Sequence, residues 1–544
     1  MLNCYTGYTS KIHPENLASY DSTAYTDGVV TYLLSRLILE DAVGSRKSTQ
    51  APGSAMITDH LIQSLKRSVL FTLLLLLCLE SSRISADEFD LPVLGDSISG
   101  VVSPEKEYRL GRAWLRMLQS RAPLIRDPLL VNYYENLTYR LAYNSELQDP
   151  DLELIIIDSP AINAFAVPGG ILGINAGLFL NAQSEDELAG VISHELAHLS
   201  QRHFARTVEE AQKSQLANNL ALLASIALIA ASDGDAGLAA LATTQAANIQ
   251  AQLKFSRRNE QEADRVGMRT LVETGMNPLA MSLFFERLQK ASEFLGTRPP
   301  EYLLTHPVTE SRIADSRSRA RAYPSKNYFD NLEFQLMKAR TKILYSKDIK
   351  SQVNLLKQTS LKGNTLSLLA NKYALALAYV RNENLSSARN IIKELLIQDP
   401  NRITFIATYA DIETKSGNIN KAIQILEDEL EKNPGNLPLT FYYSEALIKQ
   451  GSFDKAIKVL RGLSLKRPKD IQTWEYLEKA YGEAKDIIGV HRARAEVLFL
   501  KNQTKIAIEQ LEFALKLVKY NYPLTAKIKG RIEYFQYHSD DLKL

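Results

Sequence analysis

The order of apolar and polar residues in the first half of the chain predicts a small α+β unit. A helical pattern extends over 104–144, and the apolar run 152–158 then predicts a strand. A second short apolar run follows at 171–175, and a longer helical pattern covers 184–206. Strands that alternate with helices in this way indicate a sheet covered by helices on at least one face.

The second half of the chain shows an internal repeat of amphipathic helices beyond about residue 330. Three sets of residues recur at intervals of 34 residues: Ala388, Ala422 and Ala456; Pro400, Pro434 and Pro468; Gly417 and Gly451. Small residues at a helix crossing, glycine in a turn and proline at the end of the unit are typical of the tetratricopeptide repeat. The next unit departs from the pattern at Val490 and Asn502, which leaves the number of repeats open.

A targeting signal is predicted near the N-terminus. Lys66 and Arg67 precede the apolar run 68–79, and small residues near Ala86 suggest a cleavage site. The run is short for a membrane span, so we interpret 56–86 as a cleaved signal peptide, with an uncleaved signal anchor as the alternative. Residues 1–55 are then a gene-start artefact or a disordered extension.

Composition narrows the chemistry that is available to the mature protein. The 544 residues carry 64 Lys and Arg against 62 Asp and Glu, a formal charge of +2, which disfavours nucleic acid as a partner. Cys4 and Cys78 are the two cysteines, and both precede the predicted cleavage site. Cysteine catalysis and thiolate metal sites are therefore excluded, and histidine and carboxylate remain as metal ligands.

The sequence HELAH at 194–198 marks the candidate catalytic centre. Its two histidines are one helical turn apart, so both imidazoles can reach one tetrahedral ion. Ser184 and Glu187 have the spacing of a capping box, which places the motif on a helix. Glu195 can act as a general base toward water that a metal activates.

A third metal ligand is needed downstream of His198. A metzincin-type site requires histidine ten residues after His194, but that position is Phe204. His203 misses the position by one residue, and it continues the apolar stripe of the predicted helix. We therefore interpret His203 as a packed or hydrogen-bonded histidine.

The acidic segment 259–264 offers a carboxylate ligand instead. Glu260 and Asp264 are i,i+4 neighbours, so one can bind the metal while the other orients a ligating histidine from behind. Glu262 points about 200° away from Glu260 around the helix, so only one of these glutamates can face the ion. Spacing alone leaves that choice open.

HELAH, together with NEQEAD at 259–264, NAFAVPGG at 163–170, LTHP at 304–307 and Arg312, resembles the M48 metallopeptidase family over roughly residues 100–320. The resemblance implies one zinc ion per chain, with Glu260 as the third ligand and Asp264 as a further catalytic residue behind it. The C-terminal repeats narrow this resemblance to one group within the family, the periplasmic members that act in assembly of outer-membrane β-barrel proteins.

The same resemblance implies a regulatory role for His306. This histidine would take the open coordination position of the zinc and keep the resting enzyme inhibited, whereas the alternative is a local backbone cap. Arg312 either anchors that loop or stabilises the tetrahedral oxyanion, and the sequence does not separate the two roles. The strand at 170–175 is expected to present an edge to an extended substrate, with an ordinary internal strand as the alternative.

We therefore predict an α+β zincin-type metallopeptidase domain at 87–325 followed by an all-α tetratricopeptide-repeat solenoid at 326–544. The apolar segment 216–246 is expected to pack inside the first domain, with contact to a membrane or to substrate as the alternative.

The predicted function is a periplasmic zinc endopeptidase in quality control of outer-membrane proteins. Its substrates would be unfolded or stalled outer-membrane proteins, and its repeats would dock onto the assembly machinery. The rival hypotheses are a chaperone or scaffold with a latent site and a repeat adaptor with a degenerate protease domain.

Overall fold

The structure, a computed structural model, describes residues 102–212, 256–294, 300–360 and 364–539. The predictions for the N-terminal extension, the signal peptide, both cysteines and the apolar segment 216–246 lie outside these residues. No helix among the residues described is both long and apolar enough to cross a bilayer.

The N-terminal part is a three-stranded sheet with helices packed around it, which confirms the predicted α+β class. Its elements are α1 (Pro104–Arg121), α2 (Pro128–Tyr143), β1 (Glu153–Ile157), β2 (Ala164–Val167), β3 (Ile171–Asn175), α3 (Gly177–Asn181), α4 (Glu185–Ser200), α5 (203–212), α6 (256–273), α7 (Leu279–Phe294), α8 (Glu301–Thr305) and α9 (Glu310–Ala322). The strand order is β1-β3-β2, in which β3 pairs in parallel with β1 and antiparallel with β2.

The helical pattern over 104–144 forms two helices, so the prediction missed a break. The chain leaves α1 after Arg121, and Asp127 then caps α2 by accepting hydrogen bonds from the amides of Leu129 and Leu130 at 3.1 and 3.2 Å. Pro128 fits the first turn because its missing N–H would have no partner there. An aspartate followed by proline was the local signal for this helix start.

In the C-terminal part, the regular structure of the described residues is all helical, as the repeat pattern predicts. Its helices are α10 (Leu332–Leu344), α11 (Ile349–Thr359), α12 (Thr365–Arg381), α13 (Leu385–Gln398), α14 (Ile403–Lys415), α15 (Ile419–Lys432), α16 (Leu437–Gln450), α17 (Phe453–Lys466), α18 (Ile471–Glu483), α19 (Ile487–Leu500), α20 (Thr504–Leu517) and α21 (Tyr522–Ser539). The recurring alanines 388, 422 and 456 are fully buried, as expected at close helix crossings.

A left-handed turn recurs between the two helices of successive pairs. Gly417 and Gly451 adopt φ values of 82° and 85°, which glycine tolerates because it lacks Cβ. Glu383 and Lys485 occupy the equivalent positions in the flanking pairs, with φ values of 60° and 59°. The repeat geometry thus extends to pairs whose turn residue no longer identifies them in the sequence.

The repeats pack directly on the N-terminal part through a partly buried arginine of α10. Arg340 donates hydrogen bonds to the α2 cap Asp127 at 2.7 Å and to the hydroxyls of Tyr373 and Tyr442 at 2.9 and 3.0 Å. One guanidinium therefore joins the start of α2 to α12 and α16. Arg467 adds an ion pair with Glu135 on α2. These contacts hold α2, which in turn packs against the helix that carries the HELAH motif.

Candidate metal centre

Helix α4 begins at the predicted cap and carries both motif histidines. The amide of Glu187 donates to Ser184 Oγ at 3.3 Å, and Glu187 Oε2 accepts from the amide of Gln183 at 2.7 Å. His194 is fully buried one turn before His198, so both imidazoles lie on the same side of the helix. The capping prediction is confirmed by these contacts.

A close helix crossing brings the acidic segment against this face. A Cβ built on Gly267 of α6 would lie 2.9 Å from the carbonyl oxygen of Ser193 and 3.0 Å from the amide nitrogen of His194. Glycine at this position therefore lets α6 approach the backbone of α4 closely. The approach carries Glu260 and Asp264, which lie on the same helix, to the two histidines.

Four donor groups converge at the centre: His194, His198, Glu260 and His306. The Nε2 atoms of His194 and His198 are 3.1 Å apart, and each lies 3.4 Å from an oxygen of Glu260. His306 Nδ1 lies 3.3 Å from His194 Nε2 and 3.1 Å from Glu260 Oε1. Donors at about 2.0–2.1 Å from a tetrahedral zinc ion are separated by roughly 3.3 Å. The donor set and its spacing therefore fit zinc.

The structure brings Asp264 and Arg312 together behind these donors. Asp264 Oδ1 lies 3.0 Å from His194 Nδ1, on the far side of the imidazole from the other donors. Arg312 donates to both oxygens of Asp264 at 2.8 and 2.7 Å and also lies 2.9 Å from Glu260 Oε2. Its Nη1 donates to the carbonyl of Pro307 at 2.7 Å, which ties it to the loop of His306.

For three of these groups, neighbouring charges and hydrogen bonds shift the pKa in the direction opposite to that of burial, and they outweigh it. Burial alone would lower the pKa of His194, but Asp264 and Glu260 outweigh it and raise the pKa to about 9. Burial would likewise raise the pKa of Glu260 and of Asp264, yet their histidine and arginine partners hold both pKa values below the usual range. The carboxylates therefore stay ionised, as metal binding requires.

Glu195 is the buried carboxylate of the centre that is not held by a neighbour. Its side chain is 1% exposed, and neither oxygen has a hydrogen-bond partner among the residues described. Its Oε1 lies 3.4 Å from His306 Nε2. A buried carboxylate without hydrogen bonds is costly, and such a group is typical of a site that completes its contacts with a ligand.

His203 is buried and hydrogen-bonded, as interpreted from the sequence, but its partner is a motif histidine, which the sequence analysis did not predict. Helix α4 ends at Ser200 instead of continuing to about Arg206, and Arg202 adopts a left-handed φ of 49° before α5 starts. This turn places His203 Nδ1 at 2.9 Å from His198 Nδ1. The sequence analysis placed His203 away from His198 because it assumed that one unbroken helix carries both residues. Histidine a few residues beyond the motif was itself the available signal.

Glu262, which the spacing left as a rival ligand, lies outside the donor set. Its Oε2 is 3.5 Å from His203 Nε2 and 3.0 Å from Arg206 Nη1. Burial and the charges of His198 and Arg206 lower the pKa of His203 to about 3, so its ring is neutral. The alternating carboxylates of α6 thus contact different histidines, and Glu260 is the glutamate that faces the donors.

An open cleft of about 850 Å³ runs past the centre and is lined by β2 together with Glu195, His198 and His306. The edge expected at 170–175 was wrong, because β3 is the central strand and is hydrogen-bonded on both sides. The edge strand beside the cleft is β2, Ala164–Val167. Backbone groups for pairing with an extended chain are therefore on β2.

Comparison with known proteins agrees with this geometry. Residues 128–320 match peptidase family M48, and residues 413–481 match the tetratricopeptide repeat. A Vibrio cholerae protein is 34% identical over 465 residues, which cover 85% of this chain and 96% of that protein. The beta-barrel assembly-enhancing protease of Escherichia coli is 34% identical over 355 residues, with 65% and 72% covered. The mitochondrial metalloendopeptidase OMA1 of Schizosaccharomyces pombe is 30% identical over 193 residues, with 34% and 54% covered. The chain therefore belongs to peptidase family M48, in the group of the beta-barrel assembly-enhancing proteases, and is a zinc metalloendopeptidase with C-terminal tetratricopeptide repeats.

Proposed function

We propose that this enzyme acts in the periplasm on unfolded or stalled outer-membrane β-barrel proteins. The observation that carries the proposal is the edge strand β2, which lines the same cleft as Glu195 and His198. A polypeptide that adds to β2 as a further strand would be recognised by its backbone, whatever its side chains. Chains that have not yet formed their β-barrel expose such strands, and relatives of this chain are named for that assembly process.

In this proposal His194, His198 and Glu260 hold the zinc ion, and Asp264 orients His194 through the 3.0 Å contact with Nδ1. Bound zinc supplies activation of water and polarisation of the scissile carbonyl. Glu195 takes the proton from the attacking water and delivers it to the leaving amine as the peptide bond breaks. Burial without a hydrogen-bond partner suits Glu195 to this role, because its oxygens are not committed elsewhere.

His306 closes the centre in the resting enzyme. Its Nδ1 joins the three other donors, and its Nε2 lies 3.4 Å from Glu195, where a substrate or water would approach. Stacking on Tyr302, with ring centroids 4.8 Å apart, holds the imidazole in place. Arg312 anchors the loop through the carbonyl of Pro307, and its engagement with Asp264 argues against a role at the oxyanion. Activity then requires displacement of His306.

The signal peptide at 56–86 would deliver the chain to the periplasm, and the domain division at 87–325 and 326–544 separates catalysis from partner binding. The repeats would dock onto the outer-membrane assembly machinery, since stacked helix pairs form extended protein-binding surfaces. Positioning at that machinery would limit cleavage to proteins that fail to assemble.

Replacement of Glu195 by glutamine tests the proposal. Glu195→Gln keeps the size of the side chain and all four donor groups, so zinc content should stay at one per chain. Cleavage of an unfolded outer-membrane β-barrel protein should slow by about 10²-fold or more. Glu431→Gln on α15, an exposed glutamate, is the matched control and should cleave at the wild-type rate. Wild-type cleavage by zinc-loaded Glu195→Gln protein would refute the assigned mechanism.

The closed arrangement of His306 also supports a second candidate function, a chaperone or scaffold whose protease site is latent. The same variant separates the two functions in cells. Full rescue of a deletion phenotype by Glu195→Gln would favour the scaffold, whereas failure to rescue would favour proteolysis. Proteins trapped by this variant in the periplasm would identify the substrates.

A further inference from the structure

A second cavity, of about 340 Å³, lies among the last helices of the repeats, between α17 and α21. It shares no lining residue with the cleft at the metal centre. Its volume lies in the range of pockets that enclose small ligands or one or two residues of a peptide. Its wall combines cationic and apolar side chains.

The cavity carries positive charge that the described part of the chain does not neutralise. Arg461, Arg492 and Lys527 line it, and none of the three lies within ion-pair distance of a carboxylate among the residues described. The acid in the lining, Glu496, is already paired with Arg531 through bonds of 2.8 and 2.6 Å. Arg461 and Lys527 are exposed to solvent and Arg492 is partly buried, so all three cations are accessible to a ligand that enters the cavity.

The hydroxyl of Tyr481 adds a donor to this cluster. Tyr481 is 9% exposed and lines the cavity, and its hydroxyl has no hydrogen-bond partner within the described residues. Burial raises the pKa of Tyr481, against the opposing effect of Arg461 and Arg492, so its hydroxyl keeps its proton. A Cβ on Gly489 would approach the Tyr481 ring to 2.3 Å, so glycine provides the space that the ring occupies.

Apart from Ser464, the remaining wall is apolar. Trp474 has its ring fixed by a hydrogen bond of 2.9 Å from Nε1 to the carbonyl of Pro468. Leu465 also lines the cavity and is 84% exposed, so its side chain is accessible to a ligand. Cationic donors beside an apolar wall match an anion that is joined closely to an apolar group.

We propose that this cavity binds a carboxylate of an extended polypeptide together with a neighbouring apolar side chain. Arginine pairs with carboxylates through directed, charge-assisted hydrogen bonds, and Tyr481 supplies a further donor. Trp474 and Leu465 would contact the apolar side chain. A concave site of this size suits a peptide segment better than the flat surface of a lipid bilayer.

Two sources can supply such a carboxylate: the C-terminus of a chain or the side chain of an internal aspartate or glutamate. Both present the same two oxygens to Arg461 and Arg492. Amidation of the C-terminus distinguishes the two sources, because it removes the terminal carboxylate and leaves the carboxylate of an internal side chain. This difference provides the arms of the experiment.

The test measures binding of fluorescent decapeptides to full-length Glu195→Gln protein, which should cleave them about 10²-fold more slowly than the wild type. One peptide ends in phenylalanine with a free carboxylate, the second is its C-terminal amide, and the third is an amide with an internal Asp next to Phe. The site predicts that at least one carboxylate peptide binds about tenfold or more tightly than the neutral amide. Preference for the first peptide identifies a chain end, and preference for the third identifies a side chain.

The double variant Arg461→Gln with Arg492→Gln assigns binding to the cavity. Its affinity for the preferred peptide should fall by about tenfold or more, while its melting temperature should match that of the parent. Arg494→Gln is the matched control, because Arg494 lies on the same helix but pairs with Glu478 outside the cavity. Equal binding of all three peptides, or unchanged affinity in the double variant, would overturn the proposal. So would arginine-dependent binding of phosphatidylglycerol vesicles without peptide binding.

Discussion

The Nδ1 atoms of His198 and His203 lie 2.9 Å apart, which makes His203 the immediate neighbour of an imidazole in the candidate metal centre. With a metal ion bound at His198 Nε2, the Nδ1 atom of His198 would carry the proton and donate it to His203. The neutral His203 ring then directs its own Nε2–H toward Glu262, at 3.5 Å. His194 has Asp264 in the equivalent place. Each histidine of the motif thus has its own orienting partner.

Loss of His203 is expected to weaken zinc binding without unfolding the protein. His203→Ala leaves the His198 ring free to rotate and to change tautomer, so its zinc affinity should fall by about 10–100-fold. Competition with a chromophoric chelator would measure the change. His203→Gln, whose side-chain oxygen can accept the same proton, should recover part of the affinity.

Two comparisons separate orientation from general destabilisation. The zinc-free forms of His203→Ala and of the parent should melt at similar temperatures, whereas the zinc-loaded forms should differ. His491→Ala on α19, which removes a histidine hydrogen-bonded to Gln510 in the repeats, should leave zinc affinity unchanged. Equal zinc affinity for His203→Ala and wild-type protein would rule out the positioning role.

Removal of the His306 imidazole should activate the enzyme. His306→Ala eliminates the fourth donor and the group that lies 3.4 Å from Glu195, which opens the centre to substrate. We expect several-fold faster cleavage of an unfolded protein, measured on samples matched for zinc content. Unchanged or slower cleavage by folded, zinc-loaded His306→Ala protein would contradict the inhibitory role.

Features set by neighbouring residues could be predicted from the sequence. The cap formed by Ser184 and Glu187 and the pairing of His194 with His198 follow from helix geometry, and the repeats follow from their period. The choice of Glu260 over Glu262 required knowledge of which face of α6 meets α4. That packing depends on Gly267, which carries no local pattern that identifies it as a contact.

His203 shows a different limit. A helical periodicity predicts positions only while the helix continues, and α4 stops at Ser200 with a left-handed residue at Arg202. Arg202 is held there by an ion pair of 2.9 Å with Glu107, far away in the sequence. The direction of His203 therefore depends on a long-range contact that a single sequence does not reveal.

The crossing of α4 and α6 should tolerate no side chain at Gly267. In Gly267→Ala the new methyl group would press on the backbone at Ser193 and His194, which cannot move without shifting the metal ligands. We expect a loss of about 1–3 kcal/mol in unfolding free energy and a lower zinc affinity. Gly462→Ala on α17 is the control, because its Cβ would meet open space. That change should stabilise by about 0.5–1 kcal/mol, since alanine favours a helix over glycine.

Glu413 should make the repeats sensitive to acid. Its side chain is 0% exposed and accepts hydrogen bonds from Arg389, Asn418 and Lys421, which link α13, α14 and α15. Burial alone would raise its pKa, but these partners lower the pKa from 4.5 to about 2. A pKa that is lower in the folded state gives stability that is complete above pH 4.5 and disappears as the pH falls toward 2.

Glu413→Gln should therefore destabilise the protein at pH 7 by about 1–3 kcal/mol, since its cationic partners lose a matching charge. The difference in melting temperature between variant and wild type should shrink at pH 3, because the stability that the ionised Glu413 contributes is already partly lost there. Circular dichroism melts at the two pH values would measure both differences. The exposed control Glu431→Gln should melt with the wild type at each pH. If Glu413→Gln lowers the melting temperature by the same amount at pH 7 and at pH 3, the charge of Glu413 is not what joins the three helices.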